Sequence, residues 1–400
     1  DMALQTLAAH LRPLMGTEEI GASAALGRVT TEAIRAPENL PAFPRATMDG
    51  YAVQARNTYG ASEGLPAYLK VVGEVHMGRA PQVCIGLGEA AKVHTGGMLA
   101  SGADAVVMVE NTQVVDTSTI EVVRPVAPGE NTLREGDDIK VGTELFSAGH
   151  LLRPQDIGGL MALGIAKLSV FLRPRVSIVS TGDEIVPPEA NPEPGQVRDV
   201  NTYTLAALSL KAGATPMPQR IVPDNYDELS QAARRGLSEA EILIITAGSS
   251  VGTRDMTAQV IASLGKPGIL VHGVSLRPGK PTILAVVDGK PVFGLPGNPV
   301  SAMVVFGLFV KPSIYAIGGC THPPVDPVVT ARLTRNIAST TGREDYLPVR
   351  LKEQDGEIWA EPIFGESNLI TIMIRADGLA KVPLDKHGLK AGEIANVKLF

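Results

Sequence analysis

Cysteine is scarce: Cys84 and Cys320 are the only two in 400 residues, far apart and without CxxC spacing. That pattern argues against a disulfide framework and against a thiolate zinc site, and it fits a reducing compartment. Aromatic residues make up 4%, too few for a stacking surface that would bind single-stranded nucleic acid. The formal net charge is −6, with no basic block, so nucleic acid is not an expected partner. The seven histidines show no metal-ligand spacing, and packing or surface roles are expected for them. Long apolar runs are missing too. The longest, Ala302 to Val310, is broken by Lys311 and Pro312 and falls short of a membrane span. The first residues, DMALQTLAAHLRPL, read as an amphipathic helix without a signal peptide's basic start, so a soluble, cytoplasmic protein is expected.

Glycine and proline, by contrast, are plentiful, at 42 and 30. They have no period and interrupt apolar segments, which marks many tight turns. Four hundred residues exceed one ordinary core, so several domains are expected. After Pro37, Pro41 and Pro44 the chain turns to short apolar runs, LKVVGEV, AKVHTGG, DAVVMVEN and STIEVVRPV. These read as strands of a β module. The module looks inserted, with the segments on either side forming one domain.

From VSIVSTGDE onward, strands alternate with helices of about 12 residues, the signature of a parallel, doubly wound α/β sheet. NTYTLAALSLKAGA is expected to start on a cap at Asn201 or Thr202, and DNYDELSQAARRG on Asp224. Beyond Pro324 the pattern returns to strands, VVTARLTRN, EDYLPVRLKE, EIWAEPIF, LITIMIRA and AGEIANVKLF, a C-terminal β domain.

In an open α/β sheet, ligands bind outside the carboxyl ends of the strands. Three turns qualify: Ser180 to Glu184 with Thr181 and Gly182, Thr246 to Thr253 with Gly248, Ser249, Ser250 and Gly252, and Gly294 to Pro299 with Pro296, Gly297 and Asn298. Glycines allow close backbone approach, and the helix starts that follow favour an anion. Each turn alone does no more than close a βα unit; three on one edge point to an anion pocket. Asp183 and Glu184 lie in the first of these turns and Asp255 just past the second, while Asp224 opens another helix, where capping alone would explain it. Carboxylates next to a phosphate repel it unless a cation intervenes, and Mg²⁺ is hard, oxygen-liganded and content with few protein ligands. Arg277 and Lys280 in SLRPGKPT offer positive charge for a phosphate or another oxoanion. The spacing is not that of a Walker A loop, and GLGEAA has no βαβ context to make it a dinucleotide fingerprint. Asp49, Thr95, Asp137 and Asp138 are turn residues for which local physics alone gives no chemistry.

Taken together, PRATMDGYAV, KVHTGGMLASGADAVVMVE, REGDDI, GGLMALGI, VSIVSTGDE, AGSSVGTRD, RPGKPT and GLPGNPVSAMV resemble the molybdopterin molybdenumtransferase family, MoeA, and the C-terminal part of gephyrin. The segments occur in family order from residue 40 to 320. The resemblance implies a multidomain α/β chain with four domains. They are an elongated helical domain from 1–45 and 139–170, an inserted β domain at 46–138, a molybdopterin-binding α/β domain at 171–321, and a C-terminal β-barrel at 322–400. It implies insertion of molybdate into adenylylated molybdopterin, with Mg²⁺-dependent hydrolysis of the adenylate and release of AMP. It also implies a homodimer with its active site between subunits, and a molybdopterin adenylyltransferase as partner.

Carried over by motif, the catalytic residues are Asp49, Thr95, Asp138, Glu184, Asp224 and Asp255, with Glu184, Asp224 and Asp255 as metal ligands. Asp138 is chosen over Asp137 because it directly precedes Ile139, as the family's acid does. Lys280 follows in PGKP, and Arg343 and Ser367 follow on looser motifs. Two departures stand out: Ala247-Gly248 where the family commonly has two glycines, and Arg277 where it often has Lys. Two competing readings are an adenylyltransferase or nucleotide hydrolase on the same α/β domain, and a non-catalytic scaffold like gephyrin in receptor clustering.

Overall fold

A computed structural model describes residues 2–13, 16–247 and 251–400. The chain divides into two compact units, residues 1–32, 148–158 and 166–400 in one, and 33–147 with 159–165 in the other.

The first unit is built on a six-stranded sheet. Its elements in chain order are β1 (Arg175–Thr181), α1 (Asn201–Lys211), β2 (Thr215–Pro218), α2 (Tyr226–Glu239), β3 (Ile242–Ala247) and α3 (Val251–Ser263). They continue with β4 (Pro267–His272), β5 (Ile283–Val287), β6 (Lys290–Pro296) and α4 (Pro299–Ile317). The spatial order is β2-β1-β3-β6-β5-β4. β1 and β3 are buried at nearly every position because both faces are covered. Ile178, Ile244 and Phe293 pack under α1 and α4, while Val179, Ile245 and Val292 pack under α2 and α3.

The sheet is doubly wound, as expected, but not wholly parallel. β2, β1, β3 and β6 are parallel, whereas β5 runs against them and pairs antiparallel with β6 on one side and β4 on the other. The cause is a two-residue hairpin at Asp288-Gly289, where φ is 51° and 82°. Both residues are left-handed, as a type I′ turn requires, and the DG pair in VVDGKPV is its sequence signal.

α4 is the one described helix long and apolar enough to cross a membrane. Val300, Val304, Phe306, Val310, Ile314 and Ile317 place it in the α/β core instead. It widens to a π turn at Phe306–Val310. Pro312 has no N–H to give the preceding turn, which accounts for the widening. The Met2–Ala8 helix buries Leu7 in the same core, and Thr17–Gly21 pairs antiparallel with Lys167–Phe171.

Five C-terminal strands close a barrel: Glu344–Gln354, Glu357–Pro362, Val328–Leu333, Ile394–Leu399, Gly378–Val382, and back to the first. LITIMIRA, expected as a strand, is the helix Ile370–Arg375. Its β-branched residues favour a strand, but Met373 is drawn into the α/β core, and packing overrides propensity.

The second unit is a β module. Its six-stranded sheet runs Ala105–Met108, Gly50–Val53, Glu89–Val93, Ala67–Glu74, Thr119–Val122 and Thr112–Val114. Ile34–Arg35 pairs with Glu144–Phe146, and Arg45–Ala46 with Thr132–Leu133, so the entering and leaving chains run side by side, as in an insertion.

Candidate active site

The three expected turns end on neighbouring strands in register, Thr181 opposite Ala247 and Ala247 opposite Pro296. β1 leads through α1 to β2 on one side, and β2 leads through α2 to β3 on the other. The switch point of the sheet therefore lies between the ends of β1 and β3, where α/β folds open a crevice. Gly248, Ser249 and Ser250 lie outside the described residues; Gly252 is exposed in the first turn of α3.

At the end of β1 the acids meet. The Thr181 hydroxyl donates to Asp224 Oδ1 at 3.0 Å, and the Asp224 N–H donates to Asp183 Oδ1 at 3.1 Å. Asp224 does not cap α2. Asn225 does, accepting from the N–H groups of Asp227 and Glu228, because it sits one residue nearer the first turn. The carboxylate of Asp224 is thus turned to the strand end. A Cβ on Gly182 would stand 2.8 Å from Glu184 Oε2, so the Glu184 carboxylate lies close against the turn at this glycine.

Asn201 also departs from its expected capping role. Val200 takes the cap position without a side-chain bond, and Asp199 Oδ1 accepts from the Thr202 N–H at 3.1 Å. Asn201 is buried and donates to Thr246 Oγ1 at 2.9 Å and to the Gly297 carbonyl at 2.8 Å, joining two of the turns. Sequence reading missed this tie because either neighbour could cap a helix.

Beyond β6 a cleft of about 760 Å³ opens against the barrel. Arg277, Lys280, Pro296, Gly297, Asn298, Arg343 and Ser367, all singled out in the sequence, line it. Asn298 stands before Pro299 but makes no side-chain cap; it donates to Ser367 Oγ at 2.8 Å. The Ser367 carbonyl accepts from the Val300 N–H at 3.1 Å, serving the helix start that Asn298 leaves open. Asp345, not foreseen, lies in the same cleft beside the arginines. Burial pushes the Tyr346 phenol up, and the Glu344 carboxylate adds to the effect, so this lining residue keeps its proton. Asp255 is exposed and lines a separate cavity of about 160 Å³ with Arg254 and His272.

Within the second unit, Asp49 and Thr95 meet. Asp49 Oδ1 accepts from the Thr95 N–H at 2.7 Å and from its hydroxyl at 3.0 Å, and these bonds hold the carboxyl below its usual range. His94 Nδ1 stands 3.9 Å from the same oxygen, and its Nε2 lies 2.9 Å from Glu74 Oε1. Asp137 accepts from the Arg134 N–H within its own turn, and Asp138 is exposed. Among the described residues no group of three His, Cys, Asp or Glu side chains could hold a metal. Glu184, Asp224 and Asp255 thus do not form a metal cage by themselves.

Residues 1–164 match the MoeA N-terminal region (domain I and II), 177–316 the "probable molybdopterin binding domain", and 330–400 the MoeA C-terminal region (domain IV). The molybdopterin molybdenumtransferase of Nostoc is 34% identical over 94% of this chain and 87% of its own length. The Bacillus subtilis molybdopterin molybdenumtransferase is 30% identical over 98% and 91%. Among solved structures, a molybdopterin biosynthesis MoeA protein of Pyrococcus horikoshii superposes with a TM-score of 0.86 at 30% identity, covering 100% of this chain and 98% of its own. Another from that organism gives 0.79 at 37% identity, covering 100% and 97%. Doubly wound sheet, inserted β module and terminal barrel thus define a multidomain protein of the molybdopterin-handling class. The chain belongs to the MoeA family of molybdopterin molybdenumtransferases, enzymes of molybdenum cofactor biosynthesis.

Proposed function

We propose that the enzyme inserts molybdate into adenylylated molybdopterin, hydrolysing the adenylate and releasing AMP. The observation that carries this reading is the in-register alignment of Thr181, Ala247 and Pro296 beside a cleft lined by Arg277, Lys280 and Arg343. A polyanionic pterin nucleotide and a molybdate dianion repel each other, and fixed cations and helix starts offset that repulsion. Water splits the phosphoanhydride into AMP and the pterin monophosphate. The two dithiolate sulfurs bind molybdenum as one molybdate oxygen takes two protons and leaves as water, with no change of oxidation state. Asp49, Thr95, Asp138, Glu184, Asp224 and Asp255 are the residues proposed to bind and orient the reacting groups and the water.

The reading includes a requirement for Mg²⁺, which would lower the charge on the phosphoanhydride. Mg²⁺ is commonly held by one or two carboxylates completed by substrate phosphates. Glu184, Asp224 and Asp255 suit that mode, since no closed protein site is built from them. The four-domain division at 1–45 with 139–170, 46–138, 171–321 and 322–400 belongs to the same proposal. So do a cytoplasmic homodimer with its site shared between subunits, and a molybdopterin adenylyltransferase as the supplier of substrate; nucleic acid and membrane are not proposed as partners.

The test is AMP release from adenylylated molybdopterin, with and without molybdate and Mg²⁺. Release that requires both supports the reading. Substrate binding without release favours a carrier, and MgATP-dependent adenylylation of free molybdopterin would show an adenylyltransferase instead.

A further inference from the structure

Two arginines of the cleft come from two parts of the chain and meet on one carboxylate. Leu276–Arg277 runs parallel to the start of the Glu344–Gln354 strand, with Arg277 paired to Asp345. Asp345 is only 5% exposed. Its Oδ1 accepts from Arg343 Nε at 2.9 Å, and its Oδ2 lies 3.4 Å from Arg343 Nη2 and 3.9 Å from Arg277 Nη1. A carboxylate this buried is costly without such partners. The Arg343 guanidinium is planar, so engaging Nε and Nη2 fixes the plane and leaves the Nη1 edge out of the contact with Asp345, on a residue that lines the cleft. An arginine ordered beforehand loses less side-chain freedom when an anion arrives.

We infer that Asp345 is a positioning residue, one that sets Arg343, and more loosely Arg277, to receive a tetrahedral oxoanion in this cleft. The inference rests on the proposed reading of the cleft as an anion site. Two sources share that chemistry, free molybdate and a phosphoryl group of the pterin nucleotide, and each has its own probe.

Asp345→Asn keeps the shape but removes the charge that orients Arg343. The wild type, Asp345→Asn, Arg343→Ala and the double variant are compared by KM for each substrate, by kcat, and by equilibrium binding of molybdate alone and AMP alone. KM for one of the two anions is expected to rise about tenfold in Asp345→Asn, with the matching probe weakened equally. Asp345→Asn should add nothing on the Arg343→Ala background, and Asp345→Glu should restore part of the loss. Equal KM and equal probe binding in Asp345→Asn overturn the inference, as does full additivity with Arg343→Ala, which would mean a purely structural carboxylate. Should Asp345→Asn fail to fold, Arg343→Lys replaces it. Lysine keeps the charge but has no fork to lie on Asp345, so the same selective rise is expected and its absence is contradictory. If the wild type turns over no substrate, the proposed function fails, and molybdate and AMP binding alone judge Asp345.

Discussion

The hydroxyl of Thr181 donates to Asp224 at 3.0 Å, tying the end of the central strand β1 to the loop that enters α2. Asp224 is exposed and its helix is capped by Asn225, so its carboxylate does not serve the helix start. Asp224→Ala should cut turnover by about 10²-fold while lowering stability by no more than about 1 kcal/mol, the cost of the Thr181 bond. Thr181 is buried, and Thr181→Val should lower stability by about 1 kcal/mol and reduce turnover less. Steady-state kinetics with thermal unfolding check both; full activity in Asp224→Ala would remove it from the site.

Asp49 owes its lowered pKa first to the Thr95 N–H and then to the Thr95 hydroxyl. Thr95→Ala keeps the first bond and loses the second, so the Asp49 carboxyl should titrate at higher pH. Since the ionised form exists above its pKa, an acid limb of the rate profile set by Asp49 moves upward in Thr95→Ala. A limb that stays in place shows that Asp49 does not control it.

Asp156 gives a stability prediction. Burial raises its pKa, but hydrogen bonds from Arg153 and His150 outweigh burial and bring the carboxyl from 3.8 to about 2. A depressed pKa stabilises the fold at pH above the unfolded value, and that contribution is lost as pH falls from about 4 through 2. Its size is at most about 2 kcal/mol. Acid unfolding of Asp156→Asn should show a smaller pH dependence across that window. An unchanged slope contradicts the assignment.

Asn298 and Ser367 join the α/β sheet to the barrel by one side-chain bond at 2.8 Å. Asn298→Ala should cost about 1 kcal/mol and raise KM, since both residues line the cleft. Ser367→Ala breaks the same side-chain bond and should cost about as much, since the backbone bond from Val300 to the Ser367 carbonyl survives in both variants. A double variant whose Tm loss equals the sum of the two single losses would show that the residues do not act through that bond.

Much of this was legible in the sequence. Strand and helix alternation revealed the α/β sheet, and the Gly-rich turns lie where strand ends align. What was not legible depended on distant register or on competition between neighbours. Asp224 and Asn225 are both good caps, and only the backbone decides between them. β5 reverses at the DG pair Asp288-Gly289, a hairpin signal that strand and helix alternation alone does not include. Ile370–Arg375 left the barrel because Met373 found the α/β core. Asp345 stood in a strand motif, and its pairing with Arg277 exists only once the barrel docks on the α/β sheet.

The most direct test of the proposed reaction measures molybdenum bound to the pterin product and AMP released in the same turnover. Equal amounts, both requiring molybdate and Mg²⁺, are the result predicted. AMP released without molybdenum in the pterin would mark a hydrolase, and would contradict insertion as the work of this chain.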